Sequence, residues 1–213
     1  MIEEFEWIGK DMFSSGLIDS HSGNLSIRKE NKILITKRGV KLGHLRQEDL
    51  IEVDLEGEKE EDKLASIELP VHRAIYRATP HLAIIHAHPS HAIALSLTEA
   101  KIIPVDAEGL YLFKSAPVVK VRETMGSPEV VKLLPPVFAG GYMVAVIKGH
   151  GSFAVGKNLE EAYRYTSSLE NSCRIIMLSR QVGRPAPVHH PPPPHKGIPP
   201  GIGVMGRTYR GRR

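Results

Sequence analysis

Strand-like apolar runs and helix-like patterns alternate along the first 180 or so of the chain's 213 residues. This interleaving limits the possible folds more than any other feature. A chain that keeps switching between a repeat of two and a repeat of 3.6 must bury sheet faces and helix stripes together, which favours α/β layers over a helical bundle or a β-sandwich.

Residues 2–16 pattern as a helix, with Ile2, Phe5, Trp7, Ile8, Met12 and Phe13 near helical spacing and Gly16 as its stop. Leu25–Arg28 and Lys32–Thr36 read as short strands about a turn at Lys29–Asn31, and Ile51–Asp54 as a third. Ser66 is placed to cap a helix running to about Arg77, with Pro70 in the first turn, where a missing N–H costs little. Leu82–His88 is an apolar strand ending in histidines, and Pro89–Leu97 opens the next helix. Ile102–Val105, Ala116–Val121 and Tyr142–Ile147 are further strand candidates, and Ser127–Leu134 a short helix. Asn158–Leu178 is a long helix with Leu159, Ala162, Tyr163, Thr166, Leu169, Cys173, Ile176 and Met177 turned inward.

The pattern stops near Gly183. Eight of the 16 prolines and six of the 19 glycines fall in the last 31 residues, Pro191–Pro194 among them. Such a segment has no core of its own, so the expected organisation is one domain over 1–182 and an extended or disordered arm over 183–213. The charge divides at the same place. The chain has a formal charge of +4 and a pI near 9.1, which by themselves suggest a nucleic-acid partner. Yet residues 180–213 hold seven Lys or Arg and no acid, leaving 21 basic against 24 acidic residues in 1–179. The body is mildly acidic, and nucleic acid is not its expected partner. One cysteine, Cys173, excludes an internal disulfide and a cysteine-based zinc site. No apolar run has the roughly 18–20 residues of a membrane span, and the acidic, amphipathic start does not read as a signal peptide. A reducing, cytoplasmic setting is the default expectation.

His86 and His88 are two residues apart at a strand end, so both rings project from one face and can reach one ion. His150, framed by Gly149 and Gly151 after another strand, is the best third ligand. Three imidazoles with an open position suit a catalytic divalent metal such as zinc, and several divalent ions suit the same donors. His91 could support a ligand from one turn into the next helix, His81 faces solvent on this reading, and His72 reads as a satisfied, half-buried histidine of the helix after Ser66. Glu68, at that helix's start, is either a helix-start acid or a base near the metal. Three turn sequences suit an anion: Ser22-Gly23-Asn24, the Ile35–Gly39 stretch with Thr36, and Ser66. Together with a metal site they favour a small phosphorylated substrate.

Five segments in order, SGNLSIR at 22–28, ILITKRG at 33–39, LASIELPVHRAIY at 64–76, IIHAHPSHAIALSL at 84–97 and KGHGSFAVGKNLEEAY at 148–163, resemble the class II aldolase/adducin family, and within it the L-fuculose-1-phosphate aldolases. The resemblance covers about residues 2–180. It implies a three-layer αβα fold around a mostly antiparallel, mixed sheet, and a homotetramer with sites at subunit interfaces. It implies one zinc per subunit bound by His86, His88 and His150, with Glu68 as fourth ligand at rest and as acid/base with substrate. Phosphate contacts would come from Gly23, Asn24, Thr36, Gly39 and Ser66. The implied reaction is reversible cleavage of a ketose 1-phosphate to dihydroxyacetone phosphate and an aldehyde through a metal-stabilised enediolate. This sequence departs from the family at Ile67, where a second serine is common, and at Glu108, which falls about where the fuculose phosphate aldolases carry a tyrosine from a neighbouring subunit. Tyr111 is near that place but not aligned with it. Either Glu108 is then the proton donor at the aldehyde end, or the aldehyde preference differs. A pentose-phosphate 4-epimerase or a methylthioribulose-1-phosphate dehydratase would use the same histidines. An adducin-like binding module would be expected to lack them.

Overall fold

A computed structural model describes residues 2–57 and 59–183. The arm from 184 on, with His189, His190, His195 and Tyr209, lies outside the described residues, as does the expectation made for it.

The strands are β1 (Asn24–Lys29), β2 (Lys32–Thr36), β3 (Leu50–Asp54), β4 (Ala83–Ala87), β5 (Lys101–Ile102), β6 (Ala116–Val119), β7 (Val144–Ile147) and β8 (Gly151–Gly156). The helices are α1 (Ile2–Ser14), α2 (Leu69–Ala78), α3 (Ser90–Ser96), α4 (Ala107–Leu112), α5 (Pro128–Ala139) and α6 (Leu159–Gln181). The strands form one sheet in the order β3-β2-β1-β4-β8-β7-β6-β5. Every pairing is antiparallel except β6 with β7, which is parallel. The fold is therefore the expected mixed, mostly antiparallel α/β arrangement.

Both faces of the sheet are buried. Leu25, Ala83, Ile85, Val144, Val146 and Ala154 point to one face, where they pack with Phe5, Ile8 and Met12 of α1 and Leu159, Leu169 and Cys173 of α6. Ile33, Ile84, Ile147, Phe153 and Val155 point to the other, against Val71 and Ile75 of α2 and Val130, Leu134 and Phe138 of α5. A strand covered on both sides loses the alternation of a half-exposed one, which is why β4 reads as an unbroken apolar run.

Several boundaries differ from the sequence reading. Residues 151–156 form a strand, and 107–112 a helix, that the sequence pattern does not announce. α4 is started by Asp106, whose carboxylate accepts the Gly109 N–H at 2.9 Å. The expected strand at Ile102–Val105 is only the two residues of β5. α5 does not end at Leu134 but continues through Pro135 and Pro136 to Ala139. Burying Phe138 on the same stripe as Val130 and Leu134 outweighs the two missing N–H donors. Ser66 is not the cap of α2: Glu68 holds that position, and the Ser66 Oγ accepts the Glu68 N–H at 3.3 Å.

His72 is not half-buried but fully buried under β1, and only its Nδ1 finds a partner among the described residues. Its Nδ1 lies 2.6 Å from the Ser26 Oγ, which is also 2.7 Å from the Tyr76 hydroxyl. Burial lowers the His72 pKa to about 3, against about 6.5 when unfolded. The unfolded chain thus takes up the proton first as pH falls. His72 leaves stability unaffected above pH 6.5 and erodes it from there down to about 3, by at most ~1.4 kcal/mol per pH unit. Denaturant melts of wild type and His72→Gln between about pH 7 and 4 should show the variant with the shallower loss. Equal slopes would refute this account of the ring.

Candidate active site

His86 ends the inner part of β4, His88 follows one residue past the strand, and His150 stands in the turn from β7 into β8. The three ring centroids are 4.9, 4.9 and 5.0 Å apart. One donor atom from each lies within 4.8 Å of the other two. The His86 Nδ1–H donates to the Ser152 carbonyl at 3.0 Å, which leaves its Nε2 lone pair facing the His88 Nε2 at 3.0 Å. Phe153 stacks on the His86 ring at 4.3 Å and fixes its plane. The His150 Nδ1 is buried without a hydrogen-bond partner among the described residues.

Two glycines make this convergence possible in different ways. Gly149 turns the chain at φ 70°. Gly151 is there for space, because a Cβ on it would collide with the Ala87 carbonyl oxygen and lie 2.9 Å from the His88 ring and 3.1 Å from the His86 ring. Burial is the main cause that holds all three histidines below the usual imidazole range, His150 at about 4. They are neutral near pH 7, with lone pairs free, and the cluster could bind a metal ion.

Glu68 is 2 % exposed, and burial raises its carboxyl to about 7 against the opposing pull of the Gly126 N–H. That N–H donates to Oε2 at 3.0 Å from the loop before α5. Glu68 is not one of the side chains in the tight three-histidine group. Of the anion-binding candidates, Ser66 contacts Glu68, while Asn24 and Gly23 lie against His86. Asn24 pairs with His86 across β1 and β4, so the start of β1 adjoins the histidines. The Asn24 Oδ1 is buried and unpartnered among the described residues. Thr36 is buried, its Oγ accepting the Leu25 N–H at 3.2 Å, while its backbone carbonyl accepts the Ser66 N–H at 3.1 Å. Gly23, at φ 79°, sits where a Cβ would be 2.8 Å from the His86 carbonyl oxygen, and Gly39, at φ 73°, faces open space.

Glu108 is not brought to this cluster within one chain. It is exposed on α4 and lines a groove of about 760 Å³ with Trp7, Leu112, Tyr163 and Arg164, a groove that includes none of the three histidines. Of the other histidines, His91 is paired with Glu170 at 2.7 Å and His81 is half-buried rather than solvent-facing. Gly126, Ser152 and Phe153 carry no signal of their role in the sequence. They act on Glu68 and His86 from positions 58 to 67 residues away, and no short motif links residues that far apart.

A three-histidine cluster on the β4–β8 pair, with the polar start of β1 beside it, is accompanied by a family match. Residues 3–177 match the Class II Aldolase and Adducin N-terminal domain, and the chain belongs to that family. It is an enzyme of the class II aldolase kind, a lyase. Among curated relatives, the L-fuculose phosphate aldolase of Methanococcus vannielii is 30 % identical over 176 residues, 82 % of this chain and 94 % of that one. The methylthioribulose-1-phosphate dehydratase of Acidiphilium cryptum is 30 % identical over 177 residues, 76 % of this chain and 83 % of that one. Among solved structures, the L-fuculose-1-phosphate aldolase of Thermus thermophilus superposes with a TM-score of 0.81 at 38 % identity, covering 86 % of this chain and 97 % of that one.

The tight contact at Gly151 gives a direct test. Gly151→Ala should cost ~1–3 kcal/mol through overpacking and weaken divalent-metal binding at least about tenfold as the rings separate. Gly141→Ala, at φ 91° in open space, should cost ~1–2 kcal/mol in backbone strain alone and leave metal binding unchanged. Denaturant melts and a chelator-competition titration measure both.

Proposed function

We propose that this enzyme reversibly cleaves a ketose 1-phosphate, such as L-fuculose 1-phosphate, to dihydroxyacetone phosphate and an aldehyde such as L-lactaldehyde, at a zinc ion held by His86, His88 and His150. The observation that carries this reading is the adjacency, through the Asn24–His86 pairing, of three neutral imidazoles and a polar cluster able to take a phosphate. The zinc ion, when bound, supplies a Lewis acid for the oxygens of the substrate, where negative charge develops as the carbon–carbon bond breaks.

The chain's own residues do the rest. Gly23, Asn24, Thr36, Gly39 and Ser66 bind the phosphate and set the substrate's distance from the histidines. The backbone N–H groups at the two positive-φ glycines are suited to an anion, and the Asn24 side chain would offer its amide nitrogen as a further donor. Glu68 is a resting-state ligand that becomes the acid/base once substrate enters. With a carboxyl near 7 it holds a proton at its oxygen and can return it to the three-carbon fragment at neutral pH. Glu108 reaches the aldehyde end only from a neighbouring copy, so the reading includes a homotetramer with sites at its interfaces, working in the cytoplasm. Among the described residues no helix is long and apolar enough to cross a membrane.

The relative from Acidiphilium cryptum keeps a second reading open, dehydration of a methylthioribulose 1-phosphate at the same histidines. Product analysis over several ketose 1-phosphates separates the two, because only the aldolase releases dihydroxyacetone phosphate. His88→Ala should abolish both bound zinc and cleavage. Glu68→Gln should keep most of the zinc and lose about 10²–10⁴-fold in turnover. Full cleavage by a metal-free His88→Ala enzyme would sink the proposal.

A further inference from the structure

Short helix α3 sits directly between the two segments that carry the histidines. Its first turn follows His88 by two residues, with Pro89 between. Its last residue, Ser96, is fully buried, and its Oγ accepts the Gly149 N–H at 2.9 Å while donating to the Ile93 carbonyl at 2.6 Å. Gly149 is the residue before His150. One end of α3 is thus joined covalently to His88 and the other is hydrogen-bonded to the turn that presents His150.

The N-terminal end is also anchored from outside. Glu170, in the middle of α6, accepts the His91 N–H at 3.1 Å on both carboxylate oxygens, the Ala92 N–H at 3.0 Å, and the His91 Nδ1–H at 2.7 Å. Two backbone donors and one side-chain donor converge on a largely buried carboxylate. A helix of about two turns has little stability alone, and these bonds hold it against a long helix that also packs on β4 and β8. Charge-assisted bonds of this kind are about twice as strong as neutral ones.

We infer that Glu170 and Ser96 are positioning residues that use α3 as a strut to fix the spacing of His88 and His150. Neither belongs to the three-histidine group itself. Glu170 sets where the strut begins, and Ser96 sets where the His150 turn rests on its far end. This inference rests on the reading of His86, His88 and His150 as metal ligands.

The test compares wild type, Glu170→Gln, Ser96→Ala and the remote Gly141→Ala. Zinc dissociation constants come from chelator competition, ligand geometry from the visible absorption of the cobalt(II)-substituted proteins, and folding from thermal melts. Glu170→Gln and Ser96→Ala should each weaken zinc about 10–100-fold and alter the cobalt spectrum. Gly141→Ala, even if it lowers the melting temperature as much, should change neither. If Glu170→Gln fails to fold, Ser96→Ala decides, since it removes a single hydroxyl. Folded variants with wild-type zinc affinity and cobalt spectrum would overturn the strut while leaving the metal site standing. A wild-type chain that binds no metal would overturn both.

Discussion

The absence of a side chain at Gly151 is the contact on which the site depends. β4 and β8 run antiparallel, and where they end a Cβ on Gly151 would collide with the Ala87 carbonyl and crowd two imidazoles. Any Cβ there would push His86 and His88 away from β8 and from the His150 turn that leads into it. The sheet contributes rigidity, since β4 and β8 are central strands covered on both faces. The glycine contributes room. A rigid frame with one missing methyl group is what lets three bulky rings share a point.

What is legible in the sequence follows from how each element is buried. β4 is readable because burial on both faces makes a continuous apolar run, and α6 because a long helix on one face keeps its stripe. β8 is not, because GSFAVG is short, small and glycine-bounded, so it reads as a loop motif until β4 and β7 are seen on either side of it. α4 is hidden by Gly109, whose lack of a side chain serves close packing on Ser172 and Pro104 rather than a turn. α5 outruns its expected end because a proline's cost is local, whereas Phe138 gains its burial from the whole α2–α5 layer.

The candidate site divides in the same way. The histidines and Glu68 lie in local patterns, a pair at spacing two and residues at element ends, and these survive in one dimension. Their supports do not. Gly126 meets Glu68 from 58 residues away, and Glu170 meets His91 from 79. Sequence reading therefore finds the groups that would do chemistry more readily than the groups that hold them in place. Glu108 marks the other limit. Its role rests on a resemblance in which neighbouring subunits contribute to the site, and inside a single chain it borders a separate groove.

Desolvation acts on the two kinds of titrating group in opposite directions, and both outcomes favour a cation. It makes the imidazoles harder to protonate, so three lone pairs converge without the mutual repulsion of three charged rings. It makes Glu68 harder to ionise, so its negative charge is stabilised once a positive charge arrives beside it. A bound divalent ion would relieve the second penalty and use the first, lowering the carboxyl while occupying the lone pairs. The single Gly126 N–H that Glu68 accepts is a weaker partner than such an ion. On the proposed reading, in which Glu68 is a ligand at rest, the same carboxyl would turn toward the metal when the site is empty and stand off it with a proton when substrate is bound.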